Sequence, residues 1–211
     1  MKKFLKNLLV LGAIIIVGKS VLAAENPLVV YFSYFENANL PVGVDASASA
    51  SIQVWNGKNT GNTGVVANII NEKVGGDIYP ILVADKYPAD YDETVNRGRN
   101  EQNRNYRPQL VNHIENFNDY DTIFIGFPNW WYDMPMAMYS FFEEYDFSGK
   151  TIIPFVTSGG SGFSNTVSTI KSLEPNATIL EGVSINGRRA MRAEADVTEW
   201  LEELNILNKM R

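Results

Sequence analysis

Five short apolar runs punctuate this chain, and segments with helical spacing separate them. The runs are Pro27–Ser33, Asp77–Val83, Asp121–Phe127, Thr151–Val156 and Ala177–Val183. The first is rich in β-branched and aromatic residues and lacks the polar alternation of a strand with one wet face, as expected of a strand covered on both sides; the others read as further strands. After the first run, Val65, Val66, Ile69, Ile70 and Val74 recur at helical spacing and stop at Gly75-Gly76, a helix-end signal. Met134–Tyr145 and Ser164–Leu173 read as further helices, and the polar stretch Asp85–Asn118 as helical in its middle. Val197, Trp200, Leu201, Leu204 and Leu207 form the apolar stripe of a last helix. This alternation predicts an α/β fold, a three-layer, doubly wound, five-stranded parallel sheet. Pro80, inside the second run, places that strand at an edge.

Two segments stand outside the pattern. Residues 34–58 interrupt the first strand-to-helix connection, where about two to six residues are usual. Its Ala46–Ser51 run alternates alanine and serine, which fits either a flexible linker or part of an ordered flap. Residues 1–23 combine a basic start (Lys2, Lys3, Lys6), an apolar stretch from Leu8 to Gly18 and a small-residue site at Val21-Leu22-Ala23. That is the pattern of a cleavable export signal. It predicts an exported protein whose single domain spans residues 24–211. An uncleaved anchor is the alternative, although the apolar stretch is short for a span of about 20 residues.

Composition removes several chemistries. With no cysteine there are no disulfides, thiolate metal sites, Fe–S ligands or Cys nucleophiles. The one histidine, His113, lies in the polar stretch 110–116, which reads as helical and surface-facing. Acidic side chains outnumber basic ones by 24 to 18, and four of the lysines fall in the first 23 residues. So acidic a body is unsuited to nucleic acid or to anionic membranes, and no stable membrane insertion is expected once the signal is removed.

Three loops carry candidate chemistry. Thr60-Gly61-Asn62-Thr63-Gly64 opens the first amphipathic helix. Its glycines admit close approach to backbone N–H groups and its threonines add hydroxyl donors, which suits a phosphate. The alternative is an ordinary helix-capping turn. No lysine is present, so it is not a nucleoside triphosphate loop of the Walker type. Pro128-Asn129-Trp130-Trp131-Tyr132 follows the third run. Successive side chains point in different directions, so the three aromatics cannot all be core. One tryptophan is expected to anchor the next helix, leaving the others to stack on a planar ring. Thr157-Ser158-Gly159-Gly160-Ser161-Gly162 follows the fourth run and offers backbone N–H groups to a ring edge, or forms a tight turn without a ligand. A phosphate seat at one strand end and a stacking wall at another suit a planar, phosphorylated cofactor such as FMN.

In order along the chain, Val29–Ser33, Gly61-Asn62-Thr63, Tyr120-Asp121, Gly126–Trp131, Met134-Pro135, Gly149-Lys150-Thr151 and Thr157–Gly162 resemble the flavodoxin-like proteins. The closer match is to a bacterial subgroup with a split phosphate-binding loop. The resemblance covers roughly residues 27–187. It implies strand order 2-1-3-4-5 with FMN at the switch between the first and third strands. It also implies that Ser33, Thr60, Gly61, Asn62 and Thr63 hold the phosphate. Pro128, Asn129, Trp130, Trp131 and Tyr132 would flank the ring, and Thr157, Ser158, Gly159, Gly160, Ser161 and Gly162 would meet its edge. Ser158 stands where many members of the subgroup carry histidine, so a proton-donating role for that histidine is absent here. The function implied is electron transfer to redox partner proteins or reduction of small quinone-like acceptors. The alternatives are a binding module on the same scaffold that has lost FMN and, more distantly, a hydrolase using Ser161.

Overall fold

Burial on both faces draws the apolar runs into a parallel sheet, described by a computed structural model over residues 26–41 and 51–207. The export-signal segment 1–23 and residues 46–50 of the Ala/Ser run lie outside the described residues. Strand β1 (Pro27–Tyr31) is flanked by β4 (Asp77–Pro80) and β5 (Thr122–Pro128). β6 (Thr151–Ser158) lies beyond β5, and two short strands, β7 (Thr178–Ile179) and β8 (Val183–Asn186), both pair with β6. Every one of these pairings is parallel. Taken without the small hairpin described below, the order is 2-1-3-4-5, with β4 at the expected edge.

Side-chain alternation along β5 divides the core. Ile123, Ile125 and Phe127 join Leu28, Val30 and Phe32 under helices α4 (Met136–Glu144) and α5 (Thr166–Leu173). Phe124 joins Val29, Tyr31, Ile153 and Phe155 under α2 (Asn62–Val74) and α6 (Glu194–Glu203). Gly126 is required between them, because a Cβ there would lie 2.0 Å from the Phe155 ring. The three layers of the sequence expectation are these two helical layers and the sheet.

Three details differ from expectation. The fifth run divides into β7 and β8 at Gly182, whose Cβ would fall 2.4 Å from the Pro154 carbonyl. The backbones approach too closely there for an unbroken strand with a side chain. Residues 110–116 are not helical. Val111 N–H donates to the Leu82 carbonyl, Asn112 accepts from Leu82 N–H at 3.0 Å, and its amide donates to the Pro80 carbonyl at 2.7 Å. An asparagine that can satisfy neighbouring backbone this way competes with helix formation. His113 is surface-facing as expected, with its ring against Glu144.

The described part of the 34–58 interruption is ordered. It begins with one helical turn, α1 (Tyr34–Asn37), and ends in an antiparallel hairpin of β2 (Ile52–Trp55) and β3 (Lys58–Gly61). Asn37 fixes the turn: its amide donates to the Ser33 and Ile81 carbonyls, and its carbonyl accepts from Val83 N–H. The hairpin delivers Gly61 directly to the start of α2.

Candidate functional site

The three loops singled out in the sequence converge at the C-terminal ends of β1, β5 and β6, where open α/β sheets place their ligands. They are bonded to one another. The Thr63 and Thr157 hydroxyls lie 2.7 Å apart, joining the start of α2 to β6. Asn129 donates its N–H to the Thr157 carbonyl at 2.8 Å, and its amide donates to Gly162 O at 2.8 Å and Ser164 Oγ at 3.0 Å. Pro128 pairs in register with Thr157 at the end of the two strands. Asn129 is thus the pin between the aromatic and glycine-rich loops.

At the start of α2 the insertion does not separate Ser33 from the turn. A Cβ on Gly61 would lie 1.7 Å from Ser33 Oγ, and one on Gly64 would lie 2.0 Å from Thr60 Oγ1. Only glycine fits this cradle. Asn62 N–H donates to Ser51 O at 3.3 Å, and Gln53 donates to the Asn62 side-chain oxygen at 2.8 Å. The Thr60 hydroxyl, expected to face a phosphate, instead donates to Glu36 Oε1 at 2.5 Å. Tyr31 OH is 3.4 Å from the same oxygen. Burial and the adjacent Glu36 carboxylate raise the Tyr31 phenol well above its ordinary value. Of the Thr63 and Thr157 hydroxyl protons, one is used in their mutual bond and the other is left over.

The aromatic loop divides its labour. Trp130 is the anchor. Its ring meets Phe32 edge-on at 5.5 Å and Tyr87 at 5.1 Å. Trp130 and Asp133 exchange both backbone hydrogen bonds, at 2.9 and 3.0 Å, which closes a two-residue turn. The two central residues, Trp131 (φ 54°) and Tyr132 (φ 64°), are both left-handed. That is the geometry of a type I′ turn, which ordinarily takes Asn-Gly. Bulky residues held there are strained, and such strain gathers at functional sites. Trp131 is fixed over α3 (Tyr91–Asn103): its indole N–H donates to Val95 O at 3.0 Å, and Arg99 lies 4.9 Å from the ring centroid. Tyr132 is 72% exposed.

In the glycine-rich loop, Ser158 Oγ accepts N–H bonds from Gly160 at 3.2 Å and Gly162 at 3.0 Å. Those two donors therefore turn inward. The Gly159 and Ser161 N–H groups have no acceptor among the described residues. A Cβ on Gly159 or Gly160 would meet nothing within 4 Å, so this backbone is open to solvent.

The aromatic and glycine-rich loops border a cleft of about 1110 Å³, which Ser51, before the hairpin that leads to α2, also lines. Of the residues expected at the site, Asn129, Trp130, Trp131, Tyr132, Gly159, Gly160 and Ser161 line it. Ser33, Thr60, Gly61, Asn62, Thr63, Pro128, Thr157, Ser158 and Gly162 do not line it; Ser33, Thr60, Thr63, Thr157 and Ser158 are buried. The opposite wall, missed in the sequence, comes from Tyr34 and from Tyr91, Thr94, Val95 and Gly98 of α3. Gly98 was the available signal: glycine inside a helix costs about 1 kcal/mol relative to alanine, and a Cβ there would press to 3.3 Å on the Trp130 ring.

A buried polar network holds that wall. Tyr87 OH donates to Glu101 Oε2 at 2.7 Å, Arg97 donates to Glu101 Oε1 at 2.8 Å, and the guanidinium stacks 4.3 Å over Tyr87. Burial and Glu101 raise the Tyr87 phenol far above its ordinary range, which keeps it a donor. No group of three or more metal-ligating side chains occurs among the described residues. No described helix is long and apolar enough to cross a membrane.

The chain is similar to known proteins over this same region. The family model described as Flavodoxin matches residues 52–204. A Bacteroides uniformis protein assigned as a flavoprotein is 31% identical, with 84% of this chain and 97% of that chain covered and a TM-score of 0.65. Its counterpart from Bacteroides eggerthii is 29% identical over 86% of this chain and 98% of that one, with a TM-score of 0.64. A Lactobacillus acidophilus flavoprotein solved in complex with FMN shares the fold at 18% identity, with coverage of 84% and 99% and a TM-score of 0.56. No curated protein matches the chain.

Proposed function

We propose, given that this chain belongs to the flavodoxin family, that it binds FMN in the three-loop cleft and reduces small, planar, quinone-like acceptors. The observation that carries the reading is the cleft itself. A turn whose glycines lie against Ser33 and Thr60, an aromatic turn held in strained geometry and an open glycine-rich backbone lie at one sheet end. Ligand cavities usually fall between about 300 and 1,000 Å³, so a cleft of about 1110 Å³ is large enough for a flavin.

Each residue has a task in that reading. The first turn of α2 and Ser33 receive the phosphate, with the unpaired proton of the Thr63–Thr157 pair as a further donor. Trp131 and Tyr132 flank the ring, while Gly159 and Ser161 offer N–H groups to its edge. Bound FMN supplies the redox chemistry, and the protein supplies binding, orientation and electrostatics. His113 bonds Glu144 and does not line the cleft, so any proton taken up at the ring comes from hydroxyls or water. The acidic body raises the energy of an anionic reduced flavin and attracts basic redox partner proteins, the second reading of the electron acceptor. The export-signal pattern of residues 1–23 supports work outside the cytoplasm.

The visible spectrum of the purified protein before and after addition of FMN tests the first step. Shifted and sharpened flavin bands with saturable fluorescence quenching are expected. A free-FMN spectrum throughout would favour a scaffold that has lost its cofactor. For the acceptor, chemically reduced loaded protein mixed anaerobically with a benzoquinone should reoxidise in a saturable manner. A rate linear in quinone to the solubility limit would point to protein partners instead.

A further inference from the structure

We infer that Glu36 is a positioning residue that clamps the two halves of the split phosphate loop together, an inference that rests on the FMN reading above. In an unbroken loop the chain itself carries the end of the first strand into the next helix. Here the insertion separates Ser33 from Gly61 along the sequence although they touch in space, and a short covalent path no longer fixes their distance. Closing a longer flexible loop costs more entropy, so noncovalent contacts must hold the second half in place.

The Glu36 carboxylate provides such a contact. It sits on α1, directly after Ser33, and accepts the Thr60 hydroxyl proton at 2.5 Å across 24 residues of sequence. This is the short distance of a charge-assisted O–H···O⁻ bond. Tyr31 of β1 approaches the same oxygen at 3.4 Å, and that oxygen would lie 3.1 Å from a Cβ on Gly64. One carboxylate oxygen therefore joins β1 to the end of β3, beside the first turn of α2. The other, Oε2, is buried without a partner among the described residues. Burying an acid in this way is unfavourable, so the side chain is held for the bonds that Oε1 makes. Thr60 has a single hydroxyl proton, already committed to Glu36. Its contribution to the phosphate is thus indirect, through the placement of Gly61 and Asn62.

The test is a double-mutant cycle of Glu36→Ala and Thr60→Val, titrated separately with FMN and with riboflavin, which lacks the phosphate. Each single variant should weaken FMN by roughly tenfold while changing riboflavin affinity little. The double variant should be no weaker than either single one. Glu36→Gln, which keeps an acceptor for Thr60, should retain the FMN-to-riboflavin preference of the parent. Hydrogen exchange of the flavin-free proteins should rise at residues 58–61 in Glu36→Ala and stay at the parental level in Glu36→Gln. An unchanged FMN-to-riboflavin ratio in both single variants, or additive losses in the double variant, would overturn the clamp while leaving FMN binding intact. A parent protein that binds neither flavin would overturn the cofactor reading and the clamp's role in it.

Discussion

Replacing Tyr132 with glycine should make the flavin-free protein more stable and its flavin site worse. Tyr132 holds φ at 64° in the second central position of the Trp130–Asp133 turn. An L-residue in the left-handed region is strained by about 1–2 kcal/mol, and glycine is not. Glycine gives back about 0.4–1 kcal/mol through the greater freedom of the unfolded chain. The lost side chain adds little, because the ring is 72% exposed and only buried apolar area contributes appreciably. The net gain is about 0.5–1 kcal/mol, which for a chain of this size raises Tm by about 1–4 °C. Tyr132→Ala is the control, since it removes the ring and keeps the strain. Thermal and urea unfolding of the flavin-free parent and both variants measure the difference. In parallel, FMN titration should show both variants weakened by roughly tenfold or more, on the scale of about 1–3 kcal/mol for stacking on an aromatic face. If Tyr132→Gly is no more stable than Tyr132→Ala, the turn stores no strain and the reasoning fails. If both bind FMN like the parent, Tyr132 is not a wall of the site.

The two tryptophans should separate in the same assays. Trp130→Ala should lose about 2–3 kcal/mol of stability in urea unfolding, less than the about 3–5 kcal/mol of a fully buried aromatic, because the ring is partly buried with Phe32, Tyr87 and Gly98 packed on it. Trp131→Ala should stay folded and lose FMN affinity. Arg97→Met should cost about 3–5 kcal/mol by leaving the Glu101 carboxylate buried without its cation, with unfolding curves as the readout. Glu174 is pushed up to about 7, first by burial and then by Asp146. It holds its proton in the folded state where the unfolded chain has released it, so stability should fall as pH rises from about 4.5 toward 7. Glu174→Gln should flatten that fall in pH-dependent Tm measurements. Export, finally, should leave a mature protein whose N-terminal sequence begins near Ala24.

Much of the fold was legible because β-sheet strands buried on both faces and amphipathic helices have different periods. Val29, Phe124 and Ile153 contact the helix layer opposite to that met by Val30, Ile123 and Ile152, and no polar residue interrupts either set. Pro80 marked the edge strand for a reason that holds regardless of context, since a proline cannot donate to a ladder. The failures came where a long-range partner decided. Nothing local in Ala177–Val183 reveals that the Pro154 carbonyl approaches Gly182. Nothing local in residues 110–116 reveals that Asn112 will bond the backbone at Pro80 and Leu82.

The site was legible as a set of loops and not as a set of bonds. Glycine spacing located the cradle, and a run of three aromatics located the stacking turn, because few other structures need those residues together. Which hydroxyls would face a ligand could not be read from that spacing. Thr60 looks like a phosphate donor until Glu36, distant in sequence, is seen to take its proton. Ser158 likewise takes up the N–H groups of Gly160 and Gly162. In both cases the protein satisfies its own polar groups first, since an unpaired buried donor costs more than a ligand bond returns. What remains for the cofactor is largely backbone: the N–H groups of the first turn of α2 beyond Asn62, and those of Gly159 and Ser161. A site built this way gives a planar, phosphorylated ligand rigid donors that need no rearrangement on binding. Its specificity then depends on the contacts that hold the loops, Glu36–Thr60, Thr63–Thr157 and Asn129–Gly162, more than on any single side chain facing the cleft.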